Sequence, residues 1–132
     1  MSTLRTNTLS NAAGSASVPV DTVISGSAKA RVNFNGTFGS SPFTIANGGI
    51  RAAFNVSSIT DNGTGDYTVN FTTAMVDANY AFTTSFGGTN SSFGFSAFDQ
   101  ATPRTASAFR VVGYNAAGSV LDMAQINISV FR

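Results

Sequence analysis

The only acids in this chain are six aspartates, and any acid–base or metal chemistry has to start from them. Asp61 and Asp66 flank a glycine-rich run, D-N-G-T-G-D, which resembles the opening of an oxygen-rich cation loop. Calcium takes about six to eight oxygen ligands. No Glu closes this loop and the EF-hand spacing fails, so a hairpin turn accounts for the same residues. Two carboxylates suffice in principle for a glycosidase. Asp21, Asp61, Asp66, Asp77, Asp99 and Asp122 all fall in or beside expected turns, where Asp bonds to nearby backbone. Nothing in their spacing sets two of them in one cleft. The chain has no His and no Cys. That excludes a Ser–His–Asp triad, a thiol nucleophile and His or thiolate metal sites. Lys29 is the single lysine and no phosphate-loop pattern surrounds it. No catalytic residue, metal ligand or cofactor is assigned.

Binding is the chemistry that remains. Exposed polar loops on a rigid scaffold usually carry it. The most polar stretch runs from Asp99 to Thr105, and Asp99, Gln100 and Arg104 are its recognition candidates. Asn90 and Ser91, in a Gly-Gly-Thr-Asn-Ser-Ser stretch, are the next pair. The alternative for any one of them is a solvated loop. Phe86, Phe93, Phe95 and Phe98 could form a sugar-stacking surface, but their alternation favours core packing. The Asn-x-Ser/Thr sequons at Asn35, Asn55, Asn62, Asn70, Asn90 and Asn127 are frequent because Asn, Ser and Thr are frequent. They read as strand and turn chemistry.

Those loops need a scaffold, and the spacing of apolar residues predicts one. Ala30, Val32 and Phe34 alternate with Arg31 and Asn33. Ala52, Phe54 and Val56 alternate with Arg51, Ala53 and Asn55. Tyr67, Val69 and Phe71 follow, then Tyr80, Phe82, Thr84 and Phe86. Phe93 to Phe98, Phe109 to Tyr114, and Ala124, Ile126, Ile128 and Val130 complete about seven runs. Period two in segments rich in Phe, Val, Ile and Thr marks half-buried strands. Asp61–Gly65 predicts a hairpin turn, Gly87–Ser92 a looser one, and Asn115–Gly118 a type I turn ending in a left-handed glycine. The expected fold is all-β, an antiparallel β-sandwich over 28–132. Residues 1–27 lack aromatics and show no helical stripe, so they predict an extended arm that orders only against neighbours.

With 132 residues there is room for one domain. Charged residues make up only 10% of the chain and the net charge is +1. This balance excludes an electrostatic nucleic-acid footprint. No apolar run approaches a membrane span, so no membrane insertion is expected. Few charges beside 42% hydrophobic residues suggest a surface covered by other copies of the chain.

Two segments carry a resemblance. Lys29–Gly36 (KARVNFNG) and Ile50–Phe82 (IRAAFNVSSITDNGTGDYTVNFTTAMVDANYAF) resemble a domain common near the distal end of bacteriophage and prophage tail fibre proteins. The likeness covers about 28–86. Val76 stands where that pattern often has Pro. The resemblance implies a homotrimeric, non-enzymatic virion component, located in the tail or fibre. It would attach the phage to a host-surface glycan or protein, with the arm interlocking copies or docking on other virion proteins. A structural adaptor or decoration protein without a receptor role is the alternative, favoured if this short chain is a whole virion protein. A polysaccharide-cleaving enzyme comes third.

Overall fold

A computed structural model describes residues 6–88, the backbone of 93–98, and residues 104–132. It is mostly strand, with antiparallel pairing throughout and one short helix. The arm holds β1 (Thr8–Ser10), β2 (Ser17–Pro19) and α1 (Val20–Gly26). The body holds β3 (Ala30–Phe34), β4 (Ile50–Phe54), β5 (Val56–Gly63), β6 (Asp66–Phe71), β7 (Ala81–Gly87), β8 (Phe93–Phe98), β9 (Ala108–Asn115) and β10 (Gln125–Phe131).

Hydrogen bonds join the eight body strands in the order β4-β3-β10-β7-β8-β9-β6-β5. The two edge strands, β4 and β5, are sequence neighbours separated only by Asn55. Side chains from distant positions in that order therefore meet. Phe34 of β3 packs edge-on to Tyr67 of β6 at 5.2 Å, and Phe82 of β7 lies 4.6 Å from Phe109 of β9. One core results, shared by Val32, Phe34, Ile126, Ile128 and Val130 of β3 and β10 and by Ile59, Tyr67, Val69, Phe109 and Val111 of β5, β6 and β9. Burying each large side chain is worth about 1.5–3 kcal/mol before entropy is counted. The alternation expected for β3, β6, β7, β9 and β10 is present in their burial.

The structure corrects the sequence reading in two places. In β4 the expected inward set was Ala52, Phe54 and Val56, yet Phe54 is 55% exposed. The pairing of β3 with β4 skips Arg51, a bulge that reverses the phase. Asn55 then turns the chain with φ 55. The inward residues are Ile50, the half-buried Ala53, and Val56. The second correction concerns the arm. It is a hairpin followed by a helix rather than an extended segment. Seven residues make two turns, too few for a helical stripe to show. Lys29 closes the helix by donating from Nζ to the Ile24 and Ser27 carbonyls, which a helix end otherwise leaves open. No described residue of the arm is buried.

Candidate functional site

Strand direction sorts the connections between two ends. The β3–β4, β5–β6, β7–β8 and β9–β10 connections all leave from the end marked by the pairs Phe34/Ile126, Gly87/Phe93 and Gly63/Asp66. This far end lies opposite the arm. The arm enters at Lys29, beside Asn55, the β6–β7 and β8–β9 connections and the C-terminal Arg132.

The far end is tied together by one polar node. Tyr67 donates its hydroxyl proton to Asp122 Oδ1 at 2.7 Å, with the Gly36 carbonyl at 3.0 Å. The Gly65 N–H donates to the same Asp122 oxygen at 2.6 Å, and Gly36 N–H donates to the Met123 carbonyl at 2.9 Å. Three connections are thereby pinned to β6. Burial pushes the Tyr67 phenol well above its usual value, and the bond to Asp122 adds to the effect. Asn115 shapes the β9–β10 loop as the sequence predicts: its Oδ1 accepts from Ala117 and Ser119 N–H, and Gly118 has φ 79.

Four of the six aspartates, Asp61, Asp66, Asp77 and Asp122, have structural partners among the described residues. Asp61 Oδ1 accepts from the Gly63 N–H at 2.9 Å, a side-chain turn within the hairpin. Asp66 pairs bidentately with Arg110, and that bond holds its carboxyl below the usual range. Asp77 pairs with Arg132 and accepts from Asn79 N–H, which lowers it to about 2. Asp21 stands on the exposed arm helix. No group of three metal-ligating side chains occurs among the described residues. No described helix is long and apolar enough to cross a membrane.

Of the receptor-binding candidates, Asn90, Ser91, Asp99 and Gln100 lie outside the described residues. The strand ends that flank them are described, and they fall at opposite ends of the body: Gly87 and Phe93 at the far end, Arg104 and Ala108 at the arm end. Arg104 is half-buried and donates from Nη1 to the Tyr80 carbonyl at 2.6 Å. Its guanidinium carbon sits 5.6 Å from the Tyr80 ring centroid, a cation–π contact. Burial raises the Tyr80 phenol to about 12, against the opposing charge of Arg104. Of the four suspected sugar-stacking rings, Phe86 is buried. The side chains of the other three lie outside the described residues.

One surface was not anticipated. The outward side chains of β4, β3 and β10 line an open groove of about 350 Å³, formed by Arg31, Asn33, Ala52, Asn127 and Ser129. Asn33 and Asn127 bond across it. The bulged Arg51 donates to the Asn33 side chain, the Phe34 carbonyl and the Ala124 carbonyl, all neutral acceptors. Its signal in the sequence is the polar phase of two alternating strands; that these two strands are neighbours is a matter of pairing. Comparison of the chain with family models, curated proteins and solved structures gives no match.

Proposed function

We propose that this protein is a non-enzymatic tail fibre or adhesin subunit of a phage. In this reading the two halves of the body sheet are the layers of a sandwich knob. Three copies associate, the arm end faces the virion, and the far end faces a host-surface glycan or protein. The motif Asp61–Phe71 (DNGTGDYTVNF) suggests the class. The observation that carries the attachment role is the polarity of the body: the strand ends flanking four connections lie at the end opposite the arm, and a polar node holds three of those connections, β3–β4, β5–β6 and β9–β10, in place. Rigidly mounted loops lose little entropy on binding. This polarity favours Asn90, Ser91 and the 115–119 loop as contacts over Asp99, Gln100 and Arg104.

The test is binding of the purified protein to cells of the host bacterium. Asn90→Ala with Ser91→Ala should weaken binding tenfold or more, while Asp99→Ala with Gln100→Ala should leave it within twofold. Binding lost only in the second variant would reverse the polarity. An absence of cell binding by the parent protein would sink the attachment reading and leave the adaptor role.

A further inference from the structure

We infer that the arm helix of one copy docks on the outer β3–β4 face of the next copy, through a matched pair of contacts. The inference rests on the homo-oligomeric part of the reading above and is independent of any receptor.

The arm and this face each hold something the other lacks. Asp21 and Ile24 are three residues apart on α1, so they share one helix face with Cβ atoms about 5–6 Å apart. Ile24 is 56% exposed, and Asp21 has no ion-pair partner among the described residues. On the sheet, Arg31 is paired directly across from Phe54. Outward residues so paired have Cβ atoms about 4.5–5.5 Å apart. Arg31 likewise has no ion-pair partner among the described residues, and Phe54 is 55% exposed. An acid beside an apolar group thus meets a base beside an apolar group at the same spacing. Neighbouring Arg51 adds a second positive charge to that face with no carboxylate against it.

The exposed area agrees. The chain exposes 7801 Å², whereas a compact chain of 13.6 kDa exposes about 6,500 Å². The excess of about 1,300 Å² compares with about 600–1,000 Å² given up by each partner in one specific interface, and here each copy takes part in two, one through its arm and one through its face. Because arm and face are different patches of one chain, the contact runs head-to-tail, and in the three-copy association proposed above it closes into a ring.

Light scattering and a cysteine cross-link test this together. The parent protein should form a closed oligomer. Asp21→Arg and Arg31→Asp should each weaken association tenfold or more, since each places like charges together, and the double swap should restore it. All four positions are exposed, so the variants should keep the parent circular dichroism. The chain has no cysteine of its own. Ile24→Cys with Phe54→Cys should therefore oxidise to disulfide-linked multimers on a non-reducing gel. A monomeric parent, single swaps without effect, a double swap that fails to restore association, or a cross-linked species that stays monomeric would each overturn the inference. Loss of cell binding with association intact would leave it standing.

Discussion

Gly14 in the arm hairpin and Gly65 in the β5–β6 hairpin have the same φ, 68°. Each turn is also shaped by a side chain of the same kind. Asn11 Oδ1 accepts from Ala16 N–H in the arm, and Asp61 Oδ1 accepts from Gly63 N–H in the body. Local chemistry makes both turns. Their surroundings differ completely. A Cβ on Gly65 would lie 2.8 Å from the Gly113 carbonyl oxygen and from the Leu121 nitrogen, while a Cβ on Gly14 would meet nothing within 4 Å. The body hairpin buries Tyr67 and Val69; the arm hairpin buries no residue. An isolated two-stranded hairpin is marginal in water. Turn residues therefore determine where a chain reverses, and burial determines whether the reversal is held.

The largest test of this contrast is Tyr67→Ala against Leu9→Ala. The first removes a ring in the core and empties the node around Asp122. It should cost about 3–5 kcal/mol, the range for large aromatic truncations, and lower Tm on the order of 15 °C. Leu9→Ala should leave the main transition within about 0.5 kcal/mol. Equal effects on the melting curve would erase the distinction between the two regions.

Gly65→Ala against Gly14→Ala sharpens it, because the backbone strain is shared. Left-handed strain costs about 1–2 kcal/mol, and crowding at Gly65 adds about 1–3 kcal/mol. Urea unfolding should show a fall of about 2–5 kcal/mol for Gly65→Ala, while Gly14→Ala leaves the midpoint of the body in place. A similar midpoint for the two variants would mean that the space around Gly65 relaxes.

The smallest effects are those of pH. Asp66 and Asp77 are held below the ordinary 3.8 by their arginines. Their contribution is present above pH 3.8 and is lost as pH falls through the folded values, about 2 for Asp77. Tyr80 works in the opposite sense. Its phenol is raised from 10.0 to about 12, so its contribution is complete below pH 10 and is lost as pH rises through about 12. Tyr67 shifts in the same direction. Urea midpoints across pH should be flat near neutrality with two descending limbs. Asp66→Asn should flatten the acid limb and Tyr80→Phe the alkaline one. Limbs unchanged in these variants would assign the pH response to other groups.

Much of the body was legible in the residues. Period two is built into an extended chain, so β3, β6, β9 and β10 can be read wherever one face is apolar. The turns at Asp61–Gly65 and Asn115–Gly118 are equally local, being made by side-chain oxygens and glycines within a few residues of one another. The candidate site was less legible. Asn90 and Ser91 read as loop residues equivalent to Asp99 and Gln100, and all four lie outside the described residues; only the flanking strand ends, Gly87 and Phe93 against Ala108, are set at opposite ends by strand direction. Arg104 reads as a free cation until Tyr80, 24 positions away, takes its proton donor.

What the sequence determined alone is the all-β class, the turns at Asp61–Gly65 and Asn115–Gly118, and the absence of His, Cys and Glu from any chemistry it performs. Tertiary structure decided the rest. Ile50, Ala53, Val56 and Ile59 point inward at intervals of three, which no strand period predicts. The cause is long-range: the pairing skips Arg51 and Ser57, and Asn55 turns the chain while its side chain holds the Lys29 and Thr73 backbone. Phe43, in a segment with no alternation, becomes a core residue because its backbone bridges Ile59. Which face is buried depends on partners that lie tens of residues away, as Phe34 does from Ile126, and covalent geometry carries no record of them.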